Sequence, residues 1–223
     1  MMQITLQERI TESKDWATVL FIFSFALIAI TKNIFGTRFS DFSRLIISNK
    51  YIKIYRENPS MMNWFIILLF WVQIISFSFL IQIFLSRYNI VSKTDYLTFI
   101  RITTLLIVFI LSKYVIEKII AVLFDIEEFI EQFNFQKVSY RTYISICFLP
   151  FIIFAYYNNT SISLINSIIF SILSINTLVY INSLKMYQNL IIGKMFYFIL
   201  YLCTLEIAPY YLLYYWFTKE SIS

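Results

Sequence analysis

The sequence predicts an all-α fold: a polytopic membrane helix bundle with about six transmembrane helices and an amphipathic cytoplasmic helical arm. Three observations carry this expectation. Of 223 residues, 60% are hydrophobic and 14% charged, where a soluble domain carries roughly 25% charged residues, and the mean hydropathy is +0.73. Several apolar runs approach or exceed the ~18 to 20 residues a helix needs to cross a ~30 Å hydrocarbon layer. Only two Gly and three Pro occur, and the runs are too long and uniform for the alternating ~10-residue strands of a membrane barrel. Helices are then the remaining way to satisfy the backbone in lipid.

A single membrane domain, 1–223, is expected, with spans at 16–30, 64–85, 97–114, 143–157, 162–181 and 195–217. The second begins with Trp64. The third carries Arg101 near one end, able to snorkel to the interface, and the short fourth contains Pro150. The opening "MMQITLQERITESKDW" has acids and no small-residue cleavage site, so the first apolar segment is expected to stay in the chain.

Orientation follows from the basic residues, because cytoplasmic loops retain an excess of Lys and Arg. The segments after spans one, three and five hold twelve, the remainder six. Both termini are therefore expected on the outer, periplasmic face of an inner membrane.

Two cytoplasmic connections are more than turns. Segment 38–58 interleaves Phe39, Phe42, Leu45, Ile46, Tyr51, Ile52 and Ile54 with basic residues. It reads either as a solvated loop or as a surface helix with its basic side towards anionic headgroups. Segment 115–134 places Ile116, Ile119, Ile120, Leu123, Ile126, Ile130 and Phe133 on one helical face. Its other positions carry Glu117, Asp125, Glu127, Glu128 and Glu131. The third helix is thus expected to continue past the bilayer as an acidic amphipathic arm. Anionic headgroups would repel that acidic face, so its stripe is expected to pack on the basic first loop or on a partner protein. Asp125, Glu127, Glu128, Ile130 and Glu131 are the candidate partner-binding residues. Lys113 and Glu117, one turn apart, would add a surface pair worth about 0.3 to 0.5 kcal/mol.

Catalytic and cofactor chemistry finds little support. No His occurs, which removes imidazole acid/base work and the commonest transition-metal ligand. Cys147 and Cys203 both lie in apolar runs, where a thiol is most often an inert hydrophobe. Gly-rich phosphate loops, HExxH, CxxC and GxSxG motifs are missing. No enzyme activity, metal, cofactor or nucleic-acid partner is expected.

One residue stands apart. Glu206 interrupts the apolar run "YLCTLEIAPYYLLYYW", 201–216, and Pro209 follows three residues later. An acid at mid-membrane costs about 2.5 to 3.5 kcal/mol on insertion scales and so seeks the bundle interior and a partner. Pro209 cannot donate to the carbonyl of Leu205, which leaves an acceptor beside the carboxyl group. Glu206, Pro209 and Thr204, with Gln73 and Asn166 as candidate partners on other spans, make a candidate intramembrane polar site. Two roles fit it: interhelical glue worth under ~2 kcal/mol, or proton or ion handling at a broken helix.

The same stretch resembles the closing signature of an uncharacterised Bacteroidota family of multi-pass inner-membrane proteins, a domain of unknown function. Tyr201, Leu202, Cys203, Thr204, Leu205, Glu206, Ile207 and Pro209 carry the likeness. "FSDFSRLIISNKYI" sits where that family has its Phe-rich, basic connection. The resemblance implies an inner-membrane location in a diderm bacterium and supplies no activity. The functional expectation is a non-catalytic accessory or scaffolding subunit of a hetero-oligomeric envelope complex, in protein export or envelope assembly. The alternative is a small proton- or ion-coupled transporter using Glu206.

Overall fold

The computed structural model describes residues 14–45, 50–55, 64–123, 127–158 and 161–186. They form seven helices and no strand: α1 (Asp15–Ile34), α2 (Gly36–Ser43), α3 (Lys50–Tyr55), α4 (Trp64–Arg87), α5 (Tyr96–Leu123), α6 (Glu127–Tyr157) and α7 (Ile162–Met186). Four of them are long and apolar enough to cross a membrane: Asp15–Ile34, Trp64–Arg87, Ile130–Tyr157 and Ile162–Ile181. The long α5 is not among these four and carries Arg101, Lys113, Glu117 and Lys118 along its length. The expected sixth span, 195–217, lies outside the described residues.

Helix α4 is the centre of the bundle, in contact with α1, α5 and α6. It is also the most buried of the four apolar helices, with 56% of its most apolar stretch inside the protein against 11% for α7. Helix α1 buries Ala17, Phe21, Ser24, Leu27 and Thr31, one side at three-and-four spacing. Its two buried hydroxyls cost little, because Ser24 Oγ donates to Leu20 O (2.9 Å) and Thr31 Oγ1 to Leu27 O (2.7 Å) within the helix. Helix α4 stops at Asn89, which takes a left-handed φ of 57°. Ile90 N–H then donates to Leu85 O and Asn89 N–H to Ser86 O, the pair of bonds that closes a helix on a left-handed residue. Asp95 starts α5: its carboxylate accepts from the Leu97 N–H (3.0 Å) and the Thr98 hydroxyl (2.5 Å).

The helices alternate in direction, so two ends can be distinguished. At the end holding the α4–α5 loop, Phe79 is fully buried and lies against Phe21 (4.3 Å between ring centroids), Phe99 (4.6 Å) and Tyr156 (5.3 Å). Trp16 stacks on Phe79 as well and donates its indole N–H to Thr94 O (3.3 Å), tying the start of α1 to the loop. At the opposite end α2 and α3 cap the bundle. Phe42, Leu45, Tyr51 and Ile52 are buried against Phe65 of α4 and Phe135 of α6, with Tyr51 stacked on Phe135 at 5.7 Å.

Two expectations change here. Segment 38–58 was expected as a solvated loop or as one surface helix facing headgroups. Its described part is instead two short helices whose aromatic side packs on protein. Arg38 is only 9% exposed and its guanidinium lies over the rings of Tyr55 (4.7 Å) and Phe65 (4.8 Å). Planar, weakly hydrated and attracted to ring faces, it tolerates that site.

Nor is segment 115–134 one arm. Helix α5 ends at Leu123 and α6 begins at Glu127, well before the expected fourth span at 143. The amphipathic assignment of its first half is also reversed: Glu117 and Ala121 are buried, while Ile116, Ile119 and Leu123 are 45%, 52% and 72% exposed. Where lipid or a partner covers the outside, an apolar stripe is stable outwards and a charge is stable only inwards beside its counter-charge.

Candidate functional site

The charged residues of the bundle converge where α5 and α6 run side by side. Lys113 and Glu117 lie one turn apart on α5, and Lys137 and Arg141 one turn apart on α6. The two pairs face the same cavity of about 60 Å³, which Tyr114 and Asn134 also line. Glu117 is 4% exposed. Its Oε1 stands 3.9 Å from Lys113 Nζ and 3.7 Å from Lys137 Nζ, within ion-pair range and longer than a hydrogen bond. Lys137 also lies over the ring of Phe133 at 5.1 Å.

At an effective dielectric near 20, each attraction is worth about 4 kcal/mol before desolvation. Removing an ion from water costs several kcal/mol, so the cluster is close to break-even as a source of stability. Its clearer property is its sharing: one carboxylate lies within ion-pair range of lysines from two helices, and Arg141 lines the same cavity. The buried Oδ1 of Asn134 has no hydrogen-bond partner among the described residues. An orphaned amide oxygen at a cavity is unusual enough to need an explanation.

A smaller cavity of about 20 Å³ lies further along the same groove, between Tyr114, Lys118 and Ala121 on α5 and Glu127, Ile130 and Glu131 on α6. Ile130 is 2% exposed, whereas Glu127 and Glu131 are exposed. Three of the five candidate partner-binding residues thus face α5 of their own chain. The backbone of Glu128 belongs to α6, its side chain lies outside the described residues, and so does the whole of Asp125.

Of the candidate intramembrane site, Glu206, Pro209 and Thr204 fall outside the described residues. Gln73 is buried on α4, and its Oε1 accepts from Thr142 Oγ1 of α6 at 2.8 Å. Asn166 is exposed on α7. A second buried amide, Gln82, donates through Nε2 to Asp95 O (2.8 Å) and Ser92 O (3.3 Å), holding the α4–α5 loop to α4. Polar residues on α4 therefore act as crosslinks to α6 and to a loop.

Three groups outside the spans titrate away from their ordinary values; one is Lys93 in the α4–α5 loop, whose ammonium is pushed down by burial and by Lys14 and Arg87. Burial pushes the Tyr51 hydroxyl up, opposed by Arg38 and by a hydrogen bond with Ser139. The Thr98 hydroxyl, with the backbone amides of Leu97 and Thr98, holds the Asp95 carboxyl below the usual range.

Glu117 is the functional candidate that sequence reasoning missed. The Lys113–Glu117 spacing was visible and read as a surface pair; nothing in the α5 sequence says that Lys137 closes over it from the next helix. Among the described residues no group of His, Cys, Asp and Glu is placed to hold a metal.

The bundle and its internal charge cluster define a helical membrane protein whose buried polar groups are set between helices. The chain belongs to the family described as Domain of unknown function (DUF4271), whose model matches residues 17–217. No curated protein and no solved structure matches it.

Proposed function

We propose that this chain is a non-catalytic subunit of an inner-membrane envelope complex in a Bacteroidota cell, an accessory or scaffold for protein export or envelope assembly. The observation that carries the reading is the outward face of α5. Val108, Leu111, Val115, Ile119 and Leu123 are all at least half exposed, an unbroken apolar stripe along the helix. Taken as a span, as the sequence predicts for 97–114, a helix starting at Tyr96 and rising 1.5 Å per residue uses up a ~30 Å hydrocarbon layer by about residue 116. Ile119 and Leu123 then stand beyond the acyl chains, where apolar surface that size favours a protein neighbour. The neighbour is another inner-membrane protein, joined to this chain in a hetero-oligomeric complex.

Charge supports the orientation. Ten of the fourteen described Lys and Arg lie towards the α2–α3 end; Lys14, Arg87, Lys93 and Arg101 lie towards the other. By the positive-inside rule the α2–α3 end is cytoplasmic and α1 starts on the periplasmic side; with the expected span 195–217 crossing once more, both termini are periplasmic. Affinity purification of the full chain in mild detergent tests the subunit reading. It predicts a stoichiometric second protein; a chain that runs alone contradicts it.

A further inference from the structure

We propose that the smaller cavity between α5 and α6 binds a primary ammonium group at the headgroup level of the bilayer, held by Asn134, Glu127 and Glu131. The orphaned amide comes first. Asn134 is 5% exposed and lines the cavity, and its Oδ1 has no hydrogen-bond partner among the described residues. A carbonyl oxygen that far from bulk water needs a donor. Glu127 and Glu131 stand one turn apart on α6 at the same cavity. Neither makes an ion pair with a described residue, and neither does the exposed Lys118 on the α5 side. The α6 wall is thus a set of acceptors: one amide oxygen and two carboxylates. An ammonium group carries three N–H donors on one centre, and its hydrogen bonds to carboxylates are charge-assisted. At about 20 Å³ the cavity admits a group the size of one water molecule. NH₃⁺ is that size; a trimethylated ammonium is larger and has no N–H to donate.

Position points to the source of the amine. Taken as spans, α5 counted from Tyr96 leaves the hydrocarbon layer near residue 116, and α6 counted back from Tyr157 leaves it near residue 137. Lys118 and Asn134 then lie about 3 to 5 Å past that boundary and Glu131 about 9 Å past it, beside the layer of roughly 5 to 8 Å that headgroups occupy on each side. This holds whichever compartment that end faces. A zwitterionic lipid headgroup carries its phosphate a short linker away from its ammonium, and Lys118 supplies a cation for that phosphate at the same cavity. Amine-bearing phospholipid therefore matches both the acceptors on α6 and the lysine on α5, and a free amine matches the acceptors alone.

The test uses the full chain and separates lipid from free amine. In detergent, thermal unfolding is followed while phosphatidylethanolamine or ethanolamine is titrated in, with phosphatidylcholine and choline as the methylated references. A rise in midpoint of about 5 to 10 °C at 100-fold excess over Kd, given by phosphatidylethanolamine over phosphatidylcholine and lost in both Asn134→Leu and Glu131→Gln, establishes a lipid ammonium site. Asn134→Leu replaces an unsatisfied amide by an apolar group of the same shape and Glu131 is exposed, so both variants should fold. A rise with ethanolamine over choline, with the two lipids equal, keeps the site and makes a free amine its ligand. No preference for the unmethylated compound in either pair, or a preference that survives either substitution, overturns the proposal. Should a variant fail to fold, native mass spectrometry of the unsubstituted chain in an equal mixture of the two lipids decides. Retention of phosphatidylethanolamine over phosphatidylcholine supports the site, and equal retention with no ethanolamine adduct overturns it.

Discussion

Two regions of the bundle are built on opposite principles. Around the α4–α5 loop, Trp16, Phe21, Phe79, Phe99 and Tyr156 interlock ring against ring, and aromatic pairs of this kind add about 0.5 to 1.5 kcal/mol each beyond area burial. Between α5 and α6 the contact is made by an acid, two lysines and an arginine around a cavity, with attraction and desolvation nearly cancelling. In lipid the apolar effect does not hold helices together, so shape and polar pairing must. The aromatic cluster uses shape and is committed to stability. The charged groove contributes less stability for the groups it buries.

Substitutions should separate the two regions in graded steps. Phe79→Ala should have the largest effect, about 3 to 5 kcal/mol, read as a sharp fall in thermal midpoint and membrane abundance. Glu117→Gln removes the carboxylate that Lys113 and Lys137 share; because lysine stems can reach towards the interface, the expected loss is about 1 to 3 kcal/mol. Adding Lys113→Gln should recover part of it, so a double-mutant cycle reads the coupling. Thr142→Val removes the donor to Gln73 Oε1 and should cost about 0.6 kcal/mol, the average for such bonds in membranes.

The smallest effect concerns pH. The Asp95 carboxyl sits below its ordinary value in the folded chain because of Thr98 and the α5 amides. Its contribution is complete above the unfolded value near 3.9 and is lost as pH falls through the lower folded value. The thermal midpoint of the unsubstituted chain should therefore drop slightly more between pH 6 and pH 3 than that of Asp95→Asn.

The sequence made the apolar architecture legible and the charged groove largely illegible. Trp64–Arg87 closely follows the expected span 64–85 because a mostly apolar stretch of that length with no charged residue has no alternative in lipid. The break between α5 and α6 carries no Gly or Pro: only Phe124, Asp125 and Ile126 separate Leu123 from Glu127. The available signal was the run of acids at 125, 127 and 128, favourable in a first helical turn, which instead read as one face of a longer arm. Glu117 was misassigned because a Lys–Glu pair at four-residue spacing looks the same on a wetted face and in a buried groove. What decides between them is Lys137, twenty positions on in sequence and brought back by the reversal of the chain. Glu206, the most conspicuous acid in the sequence, lies outside the described residues.

The most direct measurement compares two positions on the outward stripe of α5. A photo-crosslinking side chain at Ile119, beyond the acyl layer, should yield a discrete adduct with a second protein in intact cells, whereas the same group at Val108, three turns deeper on that face, should label mainly lipid. Matching lipid-only labelling at both positions would contradict an α5 surface that docks a partner.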